Sequence, residues 1–293
     1  MKLLSFGAVL WDIIEGEAHI GGAPFNLAAH AARLGMEACL VSAVGKDELG
    51  TRALAEMRRL KVRDDFVPQL PDAPTGVVDV RVDEHGAPTF TIRRPAAWDF
   101  IALSPDDIRR IRTMKFDVFC FGSLEQRSPV TNSTLRALVE AIPPTKRFCD
   151  INLRPPFYDR ERVEWSLAHC DILKLNDDEV RKTCELLGKP RMGENLNRFC
   201  RWASREFAIE TVCVTLGAEG CLVHSAAEPA RCAGVKVKVV DTVGAGDAFG
   251  AAFISRLLAR SSAREAGDFA CKIGALVASR RGAVPEYDIS DIA

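Results

Sequence analysis

Short apolar runs alternate with amphipathic segments along most of the chain. The runs KLLSFGAVL, EACLVSAVG, FDVFCFG, KRFCDINL, DILKLN and ETVCVTLG predict β-strands. The segments APFNLAAHAARLG, DELGTRALAEMRRL, VTNSTLRALVEAI and NLNRFCRWASREF predict helices between them. Gly35 ends the first of these segments, where a glycine commonly terminates a helix. Strands that alternate with helices predict an α/β fold with a mostly parallel central sheet that helices cover on both faces.

A different pattern interrupts this alternation between residues 76 and 94. The segment GVVDVRVDEHGAPTFTIRR predicts two strands with a period of two, joined by a turn at 83–86. We expect a β-hairpin inserted into one α/β domain that spans residues 1–293. Only eight residues separate Asp12 from Gly21, so most of any lid over a binding cleft is expected to come from the 76–94 hairpin.

Ligands of parallel sheets bind beside the carboxyl ends of the strands. The residues that directly follow the predicted strands are therefore the first candidates for a site. These candidates are Asp12 and the ranges 122–127, 152–154, 176–179 and 215–220.

Composition excludes several classes of function. A net charge of −1 does not favour nucleic acid as a partner. No run approaches the roughly 18 apolar residues of a membrane span, and the first run lacks the features of a signal peptide, so we expect a cytoplasmic protein. The ten cysteines form no Cys-x-x-Cys pair, and the five histidines are scattered. We expect reduced, buried cysteines and no zinc site.

The stretch DTVGAGDAFGAAF, residues 241–253, combines a glycine-rich turn with the start of a predicted helix. The first turn of a helix has free N–H groups, and small residues let an anion approach them closely. Asp247 lies in that first turn and on its own is well explained as a helix-stabilising acid. A phosphate-binding turn beside a carboxylate also supplies two parts of phosphoryl transfer, a cradle for charge and a base.

Two familiar phosphate-binding signatures are missing from the chain. The P-loop pattern G-x-x-x-x-G-K-[ST] is absent, and so are the protein-kinase motifs. The first strand–helix turn also lacks the G-x-G-x-x-G fingerprint, which argues against a dinucleotide-dependent oxidoreductase. If the chain is a kinase, the turn at 244–247 must bind the phosphates.

These motifs resemble those of the ribokinase-like (PfkB) carbohydrate kinases, and DTVGAGDAF is similar to their C-terminal signature. GGAPFNLAAHAARLG, residues 21–35, is similar to their N-terminal signature, and FGAVLWD resembles fructokinase-type members most. DINLRPPFY, LKLNDDE and VTLGAEG follow in the family's order, so the resemblance covers nearly the whole chain. It implies a ribokinase-like three-layer α/β/α fold with a small β lid.

The resemblance implies roles for individual positions in phosphoryl transfer. Asp247 would be the base that takes a proton from the sugar hydroxyl. The amides of Gly244, Ala245 and Gly246 would bind the transferred phosphoryl group. The positions that match sugar-binding residues are Asp12, Gly22 and Asn26. Each of these also has a plain structural explanation as a turn, helix-start or helix-surface residue.

Two arginines are candidates from their position alone. Arg94 lies at the end of the predicted hairpin, where it could close over substrate, and Arg154 follows a strand. Arg154 is equally explained by an ion-pair network with Asp150.

The resemblance also implies a nucleotide and metal site. The positions that match nucleotide-binding residues are Asn176, Thr215, Gly217, Gly220 and Gly246. Glu179 would organise Mg²⁺ through water, although Asn176 and Glu179 also fit a helix capping box. The carbonyls of Asp241 and Val243, with the segment 279–286, resemble a potassium site.

The function that the resemblance implies is ATP-dependent phosphorylation of a sugar, with fructose and its 6-hydroxyl as the acceptor. The implied ligands are the sugar, ATP and Mg²⁺, with K⁺ as a further expectation, and a homodimer stays open. The alternatives are a related kinase for ribose, 2-keto-3-deoxygluconate or a nucleoside, and a sugar-sensing protein without catalysis.

Overall fold

The computed structural model describes residues 1–82, 88–142, 146–225 and 229–291, so the predicted turn at 83–86 lies outside the described residues. The strands, in chain order, are β1 (Lys2–Phe6), β2 (Leu10–Ile14), β3 (Glu17–Gly21), β4 (Glu37–Val41), β5 (Val44–Gly45), β6 (Val62–Phe66), β7 (Gln69–Leu70), β8 (Gly76–Val82), β9 (Pro88–Ile92), β10 (Val118–Phe121), β11 (Lys146–Asp150), β12 (Ile172–Asn176), β13 (Thr211–Thr215), β14 (Cys221–Ser225) and β15 (Ala230–Cys232). The helices are α1 (Ala23–Arg33), α2 (Glu48–Arg59), α3 (Pro105–Met114), α4 (Pro129–Ala141), α5 (Arg160–Ala168), α6 (Asp177–Leu186), α7 (Leu196–Glu206), α8 (Ala245–Leu258) and α9 (Ala263–Ala278).

The central sheet has nine strands within the described ranges, in the order β15-β14-β13-β12-β11-β10-β1-β4-β6. The seven strands from β13 to β6 run parallel, and β14 and β15 continue the sheet in antiparallel fashion. The carboxyl ends of the parallel strands therefore share one edge of the sheet. A separate four-stranded sheet has the order β3-β2-β8-β9.

Alternate side chains of the parallel strands enter two different apolar layers. On β1, Leu3 packs into the layer under α1, α2, α8 and α9, whereas Leu4 packs into the layer under the helices from α3 to α7. Such alternation follows from the period of two along a strand. The predicted three-layer α/β/α fold with a small additional sheet is confirmed.

The prediction of a single first strand across KLLSFGAVL was wrong. The strand β1 ends at Phe6, and β2 begins at Leu10 and belongs to the small sheet. Asp12 therefore lies within a strand of the small sheet and does not follow a strand of the central one. The chain leaves the central sheet at Gly7, whose N–H donates to the carbonyl of Val41.

The expectation that the 76–94 hairpin supplies most of the lid was also wrong, because residues 10–21 supply two of the four strands of the small sheet. The strands β2 and β3 form an antiparallel hairpin with Glu15 and Gly16 in its loop. Both loop residues have positive φ, 51° and 87°, as the tightest hairpin turns require. The small sheet thus consists of two hairpins, and β2 pairs with β8 in parallel.

All ten cysteines are free and buried, as predicted. Burial raises the pKa of the Cys39 thiol to about 12, which keeps it protonated. No helix within the described part of the chain is long and apolar enough to cross a membrane.

Candidate active site

A polar cavity of about 340 Å³ opens at the carboxyl edge of the central sheet. The small sheet contributes Asp12 and Val78 to the lining, and the start of α8 contributes Gly244, Gly246 and Asp247. The predicted site residues that line this cavity are Asp12, Gly22, Asn26, Arg154, Asn176, Glu179, Thr215, Val243, Gly244, Gly246 and Asp247. Residues from many separate sequence segments therefore meet where parallel sheets bind ligands.

The helix α8 begins in a tight turn that only glycine accommodates. Gly244 is its N-cap residue and has a φ of 77°. A Cβ atom on Gly244 would lie 2.6 Å from Ala283 Cα and closer still to the carbonyl oxygen of Ala283. The positive φ and this close approach together exclude a side chain there. Gly244 and Gly246 line the cavity, so α8 begins at the cavity in a turn made of small residues.

Asp247 lies in the first turn of α8 and is partly buried. Its Oδ2 accepts a hydrogen bond of 2.8 Å from Asn26 Nδ2 on α1. Burial raises the pKa of Asp247 to about 7, even though the Asn26 hydrogen bond and the charge of Lys174 oppose the rise. A carboxylate with a pKa near the working pH is suited to accept a proton.

The paired glycines before α1 hold two neighbours close together. A Cβ on Gly21 would lie 2.6 Å from Asp12 Oδ2, and a Cβ on Gly22, whose φ is 107°, would overlap the Ala8 carbonyl. The absence of side chains leaves room for Asp12 beside the entrance of α1. Burial raises the pKa of Asp12 to about 6, against the charges of His19 and Arg154.

A buried lysine lies beside the glycine-rich turn at the start of α8. Lys174 Nζ donates to Asp150 Oδ2 at 2.6 Å, and a Cβ on Gly246 would lie 3.6 Å from the same nitrogen. Burial lowers the pKa of Lys174, but the carboxylates of Asp150 and Glu179 outweigh burial and raise it. A cation is thus held close to the first turn of α8. Asp150 pairs with Lys174, and no ion pair between Arg154 and Asp150 occurs among the described residues.

Asn176 and Glu179 form the capping box of α6. Asn176 Oδ1 accepts from Glu179 N at 2.8 Å, and Glu179 Oε2 accepts from Asn176 N at 2.9 Å. Glu179 Oε1 accepts from Leu153 N at 2.9 Å. Both carboxylate oxygens already have a backbone partner, while the residue still lines the cavity. Burial raises the pKa of Glu179.

A second, more apolar cavity of about 550 Å³ adjoins the first one. The two cavities share Thr215, Thr242 and Gly246 in their walls. The predicted nucleotide-binding residues that line the second cavity are Thr215, Gly217, Gly220 and Gly246. Val237 and Phe249 contribute apolar surface. The start of α8 thus lies between a polar compartment and an apolar one.

Two predicted residues lie away from these walls within the described part of the chain. The Arg94 guanidinium is stacked over the Phe157 ring, 5.6 Å from its centroid. The Asp241 side chain accepts hydrogen bonds of 3.0 Å from Val243 N and from Gly282 N. Asp241 therefore joins the 241–244 turn to the segment 279–286, the two pieces of the predicted potassium site.

Lys174 and Glu125 also line the polar cavity. Sequence reasoning assigned neither of them a role, although Glu125 lies within the candidate range 122–127. Lys174 lies within the buried strand β12. A charged residue in an apolar strand is unusual, and this is the signal that could have identified Lys174 from the sequence. Glu125 is 2% exposed and accepts a 3.3 Å hydrogen bond from Ala8 N. Burial raises the pKa of Glu125 to about 7. Nothing in the local pattern GSLEQ distinguishes it from a surface acid.

The chain is similar to known proteins in sequence and in fold. Residues 7–289 match the model of the pfkB family carbohydrate kinases. A probable chloroplastic fructokinase-6 of Arabidopsis thaliana is 32% identical over 285 residues, which cover 90% of this chain and 71% of that protein. A fructokinase of Solanum tuberosum is 26% identical, with 97% of this chain and 91% of that protein covered.

Solved structures give the same relationship. The crystal structure of a fructokinase from Vibrio cholerae, in a fructose, ADP and calcium ion bound form, matches with a TM-score of 0.82 at 26% identity. The match covers 97% of this chain and 94% of that chain. An uncharacterized sugar kinase from Pyrococcus horikoshii matches with a TM-score of 0.81 at 25% identity, over 97% of this chain and 94% of that one.

Proposed function

Because the chain belongs to the pfkB family of carbohydrate kinases, we propose that it transfers the γ-phosphoryl group of ATP to the 6-hydroxyl of fructose. The observation that carries this proposal is the position of Asp247. Its carboxylate lies in the polar cavity, in the first turn of the glycine-rich helix that separates the two cavities. A base and a phosphate-binding turn on one helical turn are the parts that this reaction needs.

The two cavities suit two different substrates. The apolar cavity suits the flat base of a nucleotide, and the polar cavity suits a small molecule with many hydroxyl groups. Asn26 Oδ1 is buried and has no hydrogen-bond partner among the described residues, although it lines the polar cavity. A buried acceptor without a partner favours a ligand that donates a hydrogen bond, as a sugar hydroxyl does.

Asp247 would take the proton of the attacking hydroxyl as the new bond to phosphorus forms. The bond between the γ-phosphorus and the bridging oxygen of ATP breaks, and ADP leaves with that oxygen. The N–H groups of residues 244–246 and the Lys174 ammonium would balance the charge on the transferred group. Asn26 would orient the carboxylate through its hydrogen bond to Oδ2.

The residues present fit Mg²⁺ that is bound mainly by phosphate oxygens and water. Asp150 is paired with Lys174, and both oxygens of Glu179 accept backbone N–H groups, so these hard oxygen donors suit contact through water. No group of three or more candidate metal-ligating side chains occurs among the described residues, which argues against an all-protein cage. When bound, Mg²⁺ neutralises charge on the phosphates.

The small sheet would serve as the lid over the sugar. Both of its hairpins contribute to the polar cavity, through Asp12 on β2 and through Val78 and Ile92 on β8 and β9. A lid that bears a carboxylate and apolar side chains would exclude water from the transferred group and contact the sugar hydroxyls. The hairpin predicted at 76–94 is then one half of the lid, and residues 10–21 are the other half.

Fructose is the preferred acceptor because of the relatives. The matched plant proteins are named as fructokinases, and the Vibrio cholerae structure contains fructose and ADP. A single hydroxyl or methylene group changes discrimination by only about 1–3 kcal/mol in an apolar pocket. Ribose, 2-keto-3-deoxygluconate and adenosine are therefore the acceptors against which fructose must be compared.

The test of the proposed substrate is ADP release with Mg-ATP and each of these acceptors, together with glucose, at equal concentrations. We expect the highest kcat/KM with fructose, and fructose 6-phosphate as the product identified by phosphorus NMR. The same panel with and without K⁺ tests the predicted potassium site at Asp241 and Val243. A higher kcat/KM with any other acceptor would reassign the substrate and leave the chemistry in place.

The pH dependence of the reaction should report Asp247. The base must be deprotonated, and burial holds its pKa at about 7, so kcat/KM for the sugar should be level above pH 8 and fall about tenfold per pH unit below 6. Asp12 has a pKa of about 6 in the same cavity, which makes Asp12→Asn the control. The fall near pH 7 should persist in that variant; its disappearance would assign the titration to Asp12.

A further inference from the structure

A fully buried histidine lies behind the phosphate-binding turn. His30 is four residues after Asn26 on α1, so both side chains leave the same face of that helix. Asn26 reaches the Asp247 carboxylate, whereas His30 is 0% exposed and lines neither of the two cavities described above. His30 therefore cannot reach a substrate in either cavity, and none of the catalytic roles proposed above explains why a histidine is buried here.

Both ring nitrogens of His30 are hydrogen-bonded. Nε2 lies 2.9 Å from the carbonyl oxygen of Ala283, and Nδ1 lies 3.0 Å from the hydroxyl of Tyr287. A carbonyl only accepts, so Nε2 must carry the proton and Nδ1 must accept from the tyrosine. Burial lowers the pKa of His30 to about 4 and raises that of Tyr287 to about 12. The pair is thus neutral with one defined tautomer.

The residue that His30 holds is the one that packs against Gly244. The backbone of Ala283 occupies the space where a side chain on Gly244 would lie. Gly244 is the N-cap of α8 and the first of the three residues whose amides are proposed above to bind the transferred phosphoryl group. Arg33, one turn along α1, donates a hydrogen bond of 3.1 Å to the carbonyl of Tyr287 in the same segment. The helix α1 therefore holds the segment 283–287, which packs against the turn, by hydrogen bonds from two residues.

We propose that His30 is a positioning residue for phosphoryl transfer, which fixes the Ala283 carbonyl against Gly244 and thereby keeps the amides of residues 244–246 directed into the cavity. This inference rests on the proposed function. One face of α1 then carries two positioning residues. Asn26 orients the base, and His30 supports the anion-binding turn. His30 itself touches neither sugar nor nucleotide.

The alternative is an ordinary buried histidine that stabilises the fold alone. Loss of such a residue lowers stability and leaves kcat of the folded fraction unchanged. A positioning residue instead acts on the transition state, so its loss lowers kcat and leaves the sugar KM nearly unchanged. The two explanations therefore differ in kinetics as well as in the mobility of the turn.

The variants His30→Leu and His30→Gln separate these explanations. Leucine fills a similar volume without a donor, and the glutamine amide nitrogen reaches about as far as Nε2 and can still donate to Ala283. We expect His30→Leu to lower kcat about 10- to 100-fold, as a small displacement of reacting groups does, with the sugar KM within about threefold. His30→Gln should recover most of this loss, and Tyr287→Phe should cost less than His30→Leu.

His169→Leu is the matched control. Its Nδ1 donates to the Trp165 carbonyl at 2.8 Å, so the same kind of bond is lost at a site that lines neither cavity. Hydrogen exchange of a peptide that covers residues 241–249 gives a readout independent of activity. We expect faster exchange there in His30→Leu, and wild-type exchange in His30→Gln and His169→Leu, with thermal unfolding confirming that each variant is folded.

Three results would overturn the proposal. They are wild-type kcat and exchange in folded His30→Leu, an equal loss of kcat in His30→Leu and His30→Gln, and an effect confined to KM. If the wild type phosphorylates no acceptor, the proposed function fails, but the exchange comparison still decides whether His30 supports the turn.

Discussion

Asp247→Asn is expected to lower kcat for sugar phosphorylation by about 10²- to 10⁴-fold, the range that a positioned general base contributes. Asparagine has nearly the same shape and can still accept the hydrogen bond from Asn26 Nδ2. The sugar KM should therefore change by no more than a few fold. Steady-state ADP release over a range of fructose concentrations measures both constants.

Asp107→Asn is the control for the simpler explanation that Asp247 is only a stabilising first-turn acid. Asp107 occupies the corresponding third position of α3, where it forms a capping box with Ser104 far from the cavities. The substitution there should reduce stability slightly and leave kcat unchanged. An equal loss of kcat in Asp247→Asn and Asp107→Asn would contradict a catalytic role for Asp247.

Unlike Asp107→Asn, which should reduce stability slightly, Asp247→Asn should make the folded protein more stable at pH 8. The pKa of this carboxyl is about 7 in the folded chain and 3.8 in the reference state, so its favourable contribution is present below about pH 3.8 and is lost as the pH rises through 7. At pH 8 the wild type holds an unfavourable buried charge that asparagine lacks. Asp247→Asn should thus unfold at a higher temperature than the wild type at pH 8, and this difference should shrink by pH 5.

Gly244→Ala is the second substitution with a large expected effect. The new methyl group would overlap the backbone of Ala283. Residue 244 also has a φ of 77°, which an alanine adopts only with strain. Strain of this kind costs about 1–3 kcal/mol, and the turn must shift to relieve it. Because the shift moves the amides that are proposed to bind the phosphoryl group, we expect kcat to fall about 100-fold or more, since one lost oxyanion donor costs about 10²–10³.

Gly188→Ala separates backbone strain from displacement of the turn. Gly188, which lines neither cavity, has a similar φ of 69°, but an added methyl group would meet no atom within 4 Å. This variant should lose a comparable amount of intrinsic backbone stability while keeping kcat within a few fold of the wild type. If both variants lose activity equally, contact between Gly244 and Ala283 is not what sets the turn.

The end of α1 and the glycine-rich start of α8 are predictable because their signals are local. The helix α1 ends near Gly35, which has a φ of 85°, and α8 begins one residue before the predicted start at Gly246. Glycine positions and apolar spacing are encoded within a few residues of each other, so no knowledge of distant contacts is needed.

The small sheet was only half predicted because its first hairpin has a weak pattern. The strands β2 and β3 have five residues each and partly exposed side chains. The pair of positive φ values at Glu15 and Gly16 defines the turn, yet glutamate is not a residue that marks such a turn in a sequence. Pairing of β2 with β8, sixty-six residues further along, supplies the stability that local sequence does not show.

The ion pair of Lys174 with Asp150 and the support of Gly244 by His30 depend on contacts between distant segments. Lys174 was visible only as a charge within an apolar strand, and its partner is 24 residues away. His30 and Ala283 are 253 residues apart. A local sequence pattern cannot predict that Lys174 pairs with Asp150 or that His30 contacts Ala283, because only the fold brings these residues together.

The measurement that tests the account most directly is fructose-dependent ADP release from Mg-ATP by the wild type and by Asp247→Asn, with fructose binding measured on both by calorimetry. The account predicts rapid release by the wild type, a loss of at least 100-fold in the variant, and similar fructose affinity for both. Release that is unchanged in the variant would contradict the role of Asp247. Fructose binding without ADP release by the wild type would contradict the proposed reaction.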